Sequence, residues 1–171
     1  MVDVKQKIKL GGIFEVVCID INGEEKWREE VGNLVTNEGL NHILDAVIHA
    51  ATPTDPWYVA LFEDDYTPLA GDTYASPGYT ESTAYSQVSR PEYEEAAPSG
   101  QSITNSANPA SFSINATKTI YGASIVGGSN KGDVASGEVL LCAAKFSSSK
   151  AVENGDTLNV TYTLSAADDG V

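Results

Sequence analysis

Residues 33–50 have the clearest helical pattern of hydrophobic and polar positions in the chain. Five apolar residues recur there with the 3.6-residue period of one helix face: Leu40, Ile43, Leu44, Val47 and Ile48. Thr36 stands where an N-cap hydroxyl would accept a free N–H of the first turn, and Pro53 and Pro56 prevent continuation. We predict one amphipathic helix over about residues 37–50, with its apolar stripe packed on a sheet.

Residues 8–35 have the pattern of a β-hairpin. β-branched residues are frequent between Ile13 and Ile21, and Asn22-Gly23 is the strongest short signal for a two-residue type I′ turn. Because such a turn fixes the register of both strands, it pairs the following residues: Ile21 with Glu24, Cys18 with Trp27, and Phe14 with Val31.

This register gives the hairpin two different faces. The predicted core face carries Phe14, Val16, Cys18, Trp27 and Val31. The other face carries four aliphatic residues opposite charged ones: Ile13, Val17, Ile19 and Ile21 opposite Lys26, Arg28 and Glu30. That face is more apolar than a solvated strand needs, so we expect either shielding by the charged neighbours or cover from another subunit.

The remaining apolar runs predict short strands separated by turns and by a long ordered loop over residues 64–83. The strands are predicted at Trp57–Phe62, Tyr85–Tyr93, Ala110–Ala116, Thr119–Val126, Gly137–Phe146 and Leu158–Leu164. This series predicts a mainly β protein, an antiparallel β-sandwich or barrel (tulip-like) with one short α-helix and an N-terminal β-hairpin arm. We divide the 171 residues into the arm and hairpin, residues 1–35, and a β-rich body, residues 36–171.

The formal net charge of −14 argues against nucleic-acid binding, which needs a basic face. The start of the chain differs, since Lys5, Lys7 and Lys9 stand against Asp3 alone. Such a segment is either a solvated tail or a basic arm drawn to an acidic partner or to another copy. With no apolar run of membrane-span length and no signal-peptide pattern at the start, we expect no membrane partner and synthesis in the cytoplasm.

Few residues have the spacing of a catalytic or metal site. His42, Asp45 and His49 share a predicted helix face, but residues seven apart lie ~10 Å apart along a helix, too far for two ligands of one zinc ion. We interpret them as a polar helix face. The acidic group Glu63, Asp64, Asp65 and Asp72 does not follow the spacing of a calcium loop and is read as an acidic surface loop.

Other candidates for chemistry have simpler explanations. Cys18 and Cys142 lie within apolar strand patterns, which predicts two buried free thiols. The segment 127–132 lacks the Gly-Lys-Ser/Thr order of a phosphate loop, and no Gly-x-Ser-x-Gly occurs. A pair of glycosidase carboxylates is not singled out among the 24 acidic residues. We therefore expect no enzyme, no cofactor and no metal.

An ordered series of short segments is distributed from about residue 10 to 165. The segments are Asn33–Leu40 with the helix after it, Trp57–Phe62, Gly78–Glu81, Tyr85-Ser86, Arg90-Pro91, Ser102–Ser106 and Asn154–Tyr162. Together they resemble a family of small structural proteins of tailed bacteriophages, often encoded near the major capsid protein. The resemblance implies a capsid decoration, or cement, protein that binds the outside of the assembled head and stabilises contacts between capsid subunits.

The resemblance also implies the partners and the location of such a protein. The partners would be the major capsid protein and copies of the chain itself as a homotrimer, and the location would be the outer capsid surface of the virion. A decoration protein binds only the assembled shell and so stabilises it by mass action. The expected interface residues are Lys5, Lys7, Lys9, Ile13, Val17, Ile19 and Ile21.

Two alternatives remain at this point. The first is a tail or fibre-associated structural protein or glycan-binding adhesin, which would present exposed aromatic residues such as Tyr66, Tyr74 and Tyr79 as a glycan platform. The second is an enzyme acting on polysaccharide, which would need a carboxylate pair in a cleft.

Overall fold

The structure, a computed structural model, describes residues 7–135 and 137–168. Hydrogen-bonded strands dominate these residues, and one helix interrupts them early in the chain. The elements in chain order are β1 (Ile8–Ile19), β2 (Glu25–Gly32), β3 (Leu34–Val35), α1 (Asn37–Ile48), β4 (Tyr58–Phe62), β5 (Ser102–Thr104), β6 (Ala110–Ser113), β7 (Lys118–Val126), β8 (Leu140–Val152) and β9 (Thr157–Asp168).

The strands form two antiparallel sheets, which confirms the predicted mainly β sandwich with one short helix. The first sheet has the order β2-β1-β9-β5, and β6 also pairs with β9. The second sheet has the order β3-β8-β7-β4. The core between them is apolar, because alternate residues of each strand point inward. Its largest fully buried side chains include Phe14, Tyr162, Leu61 and Ile125.

The N-terminal hairpin has the predicted register over most of its length. Cys18 pairs with Trp27, and Phe14 pairs with Val31. The predicted Ile21–Glu24 pair is wrong, because β1 ends at Ile19 after a register shift and the turn is wider. The Asp20 carboxylate causes this, since its Oδ1 accepts hydrogen bonds from the N–H groups of residues 22 and 24 at 2.8 and 2.9 Å.

The hairpin is part of the first sheet through β9. The two strands β1 and β9 pair along their whole lengths, from Ile8 opposite Asp168 to Ile19 opposite Thr157. Residues 8–10 of the predicted basic arm therefore pair with the end of the same chain. Lys5 and the rest of residues 1–6 lie outside the described residues.

The helix begins as predicted, but its apolar stripe does not pack as predicted. The Oγ1 of Thr36 accepts a hydrogen bond from the N–H of Gly39 at 3.0 Å, which is the expected N-cap. Only Ile43 of the five predicted stripe residues packs against the core. The others are exposed, because the helix turns its smallest residue, Gly39, to the sheet. A Cβ there would overlap the backbone of Leu141.

The long segment between β4 and β5, residues 63–101, covers the outer face and the free edge of the second sheet, and we call it the long loop. The strand predicted at Tyr85–Tyr93 is wrong, since only isolated bridges occur there. The segment instead bonds to the β4 edge at intervals, where the N–H of Val59 donates to Pro91 O and the N–H of Tyr93 donates to Trp57 O. This cover protects an edge that would otherwise pair with other chains.

Candidate functional site

The helix α1 has two different apolar faces. The face toward the body contains Gly39 and Ile43, and the ring of His42 lies edge-on to Trp57 at 5.5 Å. The Nε2 atom of His42 accepts a hydrogen bond from the N–H of Thr54 at 3.2 Å, so this histidine has a local structural partner. The body face is narrow because a glycine and a histidine replace the large aliphatic residues expected on a packed stripe.

The second apolar face of the helix points away from the body. We call it the outer helix ridge, and it consists of Leu40, Leu44, Val47 and Ile48. These residues are 37%, 60%, 73% and 79% exposed, respectively. They are spaced at i, i+4, i+7 and i+8, so they form one continuous stripe on the helix surface. An exposed aliphatic stripe of this size is typical of an interaction surface.

The second half of the outer helix ridge, Val47 and Ile48, lies in an uncharged part of an acidic chain. Residues 46–54 contain no acidic or basic residue apart from His49. Asp45 and His49 stand 3.5 Å apart on the polar side of the helix and pair with each other when the histidine is protonated. The predicted polar helix face is therefore made by these two residues, while His42 faces the loop.

The predicted interface residues lie in three places. Lys7 and Lys9 are exposed at the start of β1. Ile13, Val17 and Ile19 lie together on the outer face of the first sheet, where Ile13 is 48% exposed and the other two are half-buried. Ile21 is exposed in the turn beyond the strand. Their neighbours on β9 in this face are polar, namely Thr157, Asn159 and Thr163. Their role in an interface stays a prediction.

A buried arginine holds the long loop together. Arg90 is 4% exposed, and its guanidinium donates to both carboxylate oxygens of Glu81 at 2.9 and 2.6 Å. It also donates to the Tyr74 hydroxyl at 2.7 Å and to two backbone oxygens, those of Gly128 and Asp133, at 2.6 and 2.9 Å. Burial alone lowers the pKa of Arg90, but the hydrogen bonds and charge of Glu81 outweigh it, so the pKa lies above its usual value.

A pocket of about 280 Å³ lies beside this arginine, between the long loop and the second sheet. Its lining includes Tyr74, Tyr79, Glu81, Arg90 and Val134. The polar groups of the lining already bond to one another, because the Glu81 Oε2 atom also accepts from the N–H of Gly132 at 2.7 Å. The pocket therefore offers mainly apolar surface to a ligand, because Glu81, Arg90 and the Tyr74 hydroxyl already have partners.

The aromatic residues expected to form a glycan platform are used for packing. Tyr74 is 3% exposed, so it does not present the exposed ring that a glycan-binding platform would need. The ring of Tyr79 stacks on Phe62 with centroids 4.4 Å apart. The hydroxyl of Tyr66 donates to Asp72 at 2.9 Å. The long loop folds its tyrosines inward because they cover the apolar outer face of the second sheet.

The acidic loop residues are dispersed over separate partners. Glu63 pairs with Lys118 at 2.9 Å, and Asp65 pairs with Lys145 at 2.5 Å. Asp72 accepts from the N–H of residue 69 at 2.7 Å in addition to its tyrosine partner. Within residues 7–135 and 137–168, no group of three or more His, Cys, Asp or Glu side chains could hold a metal ion.

Both cysteines are free and buried, as predicted. Burial and the Asp156 carboxylate, whose Oδ2 lies 3.6 Å from the sulfur, raise the pKa of the Cys18 thiol to about 12. Burial likewise raises the pKa of Cys142 to about 12. Both thiols are therefore protonated at neutral pH and shielded from reagents.

In the part of the chain that the structure describes, no helix is long and apolar enough to cross a membrane.

Sequence reasoning missed the most exposed apolar surface and the most buried charge. The outer helix ridge was read as core because its period is that of a packed helix. A signal against that reading exists, since Gly39 and Ala46 place small residues at i−4 and i+3 from Ile43, so the helix has a second face that can approach a sheet closely. The burial of Arg90 had no signal in the sequence, because arginine is normally exposed.

A family model described as podophage GP4 fiber I protein gp80 matches residues 32–164. The match begins at the end of β2 and ends within β9, so it includes the helix, the long loop and the second sheet. It covers more than three quarters of the 171 residues. A search of curated proteins found no match.

Proposed function

The chain belongs to the podophage GP4 fiber I protein gp80 family and is a phage structural protein, and we propose that it is a component of the fibre or tail apparatus of the virion. The single observation that carries this proposal is the family match over residues 32–164. It favours the fibre alternative over the head decoration that the sequence segments implied, while both readings share a structural role in the virion.

In this proposal the protein acts by binding neighbouring subunits and catalyses no reaction. Glu63 and Asp65 pair with lysines, and Asp72 accepts from a tyrosine hydroxyl and a backbone N–H. The guanidinium of Arg90 donates to Glu81 and to two backbone oxygens. The thiols are protonated. These features support a role in which side chains maintain shape, since a catalytic group must be free to exchange protons or attack a substrate.

The proposed partners are other virion proteins and further copies of this chain. The formal charge of −14 disfavours a nucleic-acid partner, because phosphates would be repelled. The exposed aliphatic residues of the outer helix ridge support protein partners, since burying such surface drives association. The second location that we consider for the protein is the outer surface of the head. There its partner would be the major capsid protein.

Locating the protein on intact particles tests the proposal. Purified virions would be labelled with antibody fragments raised against the recombinant chain, with particles from a phage that lacks the gene as the matched control. Label on the fibres or tail, absent from the control, is the expected result. Label over the head surface would overturn the fibre location in favour of decoration. Absence of the chain from purified virions by mass spectrometry would overturn both.

A further inference from the structure

We infer that residues 8–11 at the start of β1 bind an extended acidic segment of a neighbouring virion protein, which adds to the first sheet as a further strand. We call these four residues the open edge. That the partner belongs to the virion rests on the proposed function, whereas the strand addition itself is a property of this chain. The open edge uses Lys7 and Lys9 of the interface expected from the sequence, and it does not need Ile13, Val17 or Ile19.

The pairing between β1 and β2 stops before the open edge begins. Their ladder ends where Ile13 lies opposite Gly32. One step beyond, the N–H of Asn33 donates to Gly12 O at 3.0 Å, and the N–H of Gly12 donates to the Oδ1 atom of the Asn33 side chain. The chain then leaves the first sheet to form β3 in the second sheet. Gly12 is therefore the last residue of β1 with backbone partners on this side.

The backbone groups of the open edge point to this unpartnered side. Backbone N–H and C=O groups alternate in direction along a strand, and the register between β1 and β9 continues without a shift from Ile8 to Ile19. Ile8 and Leu10 therefore point the same way as Gly12, away from β9. Within residues 7–135 and 137–168, no group bonds to them there. Two donors and two acceptors are available to an added strand.

The other sheet edges are covered or carry charges that discourage strand addition. The long loop bonds to the β4 edge, and the side chain of Gln87 donates to Ser111 O at 3.0 Å and accepts from the N–H of Ser113 at 3.1 Å on β6. The outer edge of β2 carries charges of both signs and the inward-pointing Glu29. Such features protect edges from pairing with other chains, and residues 8–11 have none of them.

The open edge also has the unpaired cations of the described chain. Nine of the ten lysines and arginines lie in the described residues, and seven of these have an ion pair or donate to backbone oxygens. The seven are Lys26, Arg28, Arg90, Lys118, Lys131, Lys145 and Lys150. In residues 7–135 and 137–168, nothing pairs with Lys7 or Lys9, and both are exposed. On a chain of charge −14, this is where an acidic partner is attracted.

The alternation of side chains specifies the pattern of the partner segment. Lys7 and Lys9 lie on the outer face of the sheet, and Ile8 and Leu10 lie on the opposite face, where Ile8 is 78% exposed. Residues directly opposite on paired strands lie about 5 Å apart. The partner segment would therefore alternate acidic residues, opposite the lysines, with aliphatic ones. A second copy adding its own open edge would place lysine against lysine, which disfavours self-pairing.

The first experiment follows the backbone amides of the ¹⁵N-labelled protein by NMR. The probe is a blocked six-residue peptide of alternating glutamate and valine, and the control peptide alternates lysine and valine. We expect saturable shifts at residues 7–12 with the glutamate peptide alone. Hydrogen exchange of the Ile8 and Leu10 amides should slow by at least about tenfold at saturation, because only main-chain pairing protects these N–H groups.

The second experiment tests the contribution of the two lysines. The double variant Lys7→Gln with Lys9→Gln should bind the glutamate peptide about fivefold more weakly, since two exposed ion pairs are lost. The matched control is Lys118→Gln with Lys145→Gln, which changes the net charge equally at lysines already paired on the second sheet. Lys7→Glu with Lys9→Glu should instead bind the lysine peptide.

The third experiment removes one N–H of the open edge. In Leu10→Pro the lost N–H is the one that points away from β9, so the ladder between β1 and β9 keeps its hydrogen bonds. Leu10→Ala shortens the side chain but keeps the N–H, and it is the matched control. We expect Leu10→Pro to bind the glutamate peptide at least about tenfold more weakly than Leu10→Ala, with unchanged amide signals along β9 in both.

Four results would overturn the inference. They are no shift at millimolar glutamate peptide, shifts at the lysines without protection of the Leu10 amide, and equal binding by Leu10→Pro and Leu10→Ala. The fourth is protection of the Leu10 amide that rises with protein concentration in the absence of peptide, which would assign the edge to a second copy. The proposed function fails separately, because absence of the chain from purified virions would leave peptide binding at the edge intact and remove only the virion partner.

Discussion

Gly122 in β7 lies at a close contact between the second sheet and the long loop, where a side chain would not fit. A Cβ at this position would overlap both the ring of Phe62 and the carbonyl oxygen of Ala144. The Phe62 ring stacks on Tyr79, so its position is fixed from the other side by the loop. Glycine is required here for close approach, because two backbone segments and an aromatic ring share the space.

We expect Gly122→Ala to lower the free energy of unfolding by about 1–3 kcal/mol, since the neighbours of the new methyl group cannot all move away. Urea denaturation followed by circular dichroism measures the change. Gly71→Ala is the matched control, because a Cβ there meets no atom within 4 Å and the change should be near zero. Equal stability of both variants would show that the sheet has room at residue 122.

A buried ion pair between β2 and β8 makes stability depend on pH. Glu29 is 5% exposed, and its carboxylate accepts from Lys150 at 2.8 Å and from the N–H of Ser147 at 2.6 Å. Burial alone raises the pKa of Glu29, but these hydrogen bonds outweigh it, so the pKa lies below the usual 4.5. A group with a lowered folded pKa stabilises the fold above its unfolded pKa and loses that effect as pH falls through the folded value.

We therefore expect Glu29→Gln to be less stable than the wild type by about 1–3 kcal/mol at pH 7. The difference should persist down to pH 4.5 and narrow below it, as the wild-type carboxylate takes up its proton. Urea midpoints measured between pH 7 and pH 3 for both proteins test this. A difference that stays constant to pH 3 would contradict a lowered pKa. Glu30→Gln, at the exposed neighbouring residue, is the control.

At the scale of elements, the cap of α1 determines where the helix starts and how it contacts β8. Thr36 is fully buried, and its hydroxyl accepts from the N–H of Gly39 and donates to Leu140 O at 2.5 Å. The Oε2 atom of Glu38 accepts from the N–H of Leu140 at 2.7 Å and from the N–H of Tyr74 at 2.8 Å. The first turn therefore connects the helix, β8 and the long loop.

Removing the capping hydroxyl should weaken this junction. We expect Thr36→Ala to lower the free energy of unfolding by about 1–2 kcal/mol, because the Gly39 N–H and Leu140 O both lose a buried partner. Thr36→Ser retains the hydroxyl and should lose less than half as much. Thermal unfolding of the two variants checks the order. If Ser and Ala are equally destabilising, the lost methyl group is responsible and the cap contributes little.

The element scale also shows why the helix could be predicted and its orientation could not. The 3.6-residue period and the capping threonine are local features, and the structure confirms both. Which apolar stripe meets the sheet depends on the shape of the sheet surface. The sheet brings the backbone of Leu141 so close that only Gly39 fits against it, and that contact turns the large aliphatic residues outward.

For the whole molecule, charge and the outer helix ridge act in opposite directions on association. The charge of −14 repels other acidic molecules, including further copies, whereas burial of the exposed ridge residues against another protein is favourable. Salt screens repulsion between exposed charges, with a Debye length that falls from about 30 Å at 0.01 M to about 8 Å at 0.15 M. It leaves the burial of aliphatic surface almost unchanged at these concentrations.

Because the proposed partners include further copies of this chain, we expect the fraction of oligomer at fixed protein concentration to rise between about 10 mM and about 300 mM sodium chloride. Sedimentation velocity at several salt concentrations measures it, with a Leu44→Arg variant, which places a charge on the ridge, as the comparison. Dissociation by salt would be the opposite result, and it would indicate an interface made by ion pairs.

Local patterns in the sequence determined the class of the fold, the single helix with its threonine cap, most of the hairpin register and the burial of both cysteines. These follow from the side-chain periods of strands and helices and from capping chemistry, which act within a few residues. The ordered series of short segments indicated a structural role in a phage, and the family match agrees with that role.

The tertiary structure decided which apolar residues are core and which are surface. It turned the outer helix ridge to solvent, folded Tyr74 and Tyr79 inward, and placed Arg90 in a buried network with Glu81. It also paired residues 8–19 with residues 157–168 through β1 and β9. Each of these outcomes depends on contacts between residues distant in sequence, and the pattern of a single segment contains no information about the partner that it will meet.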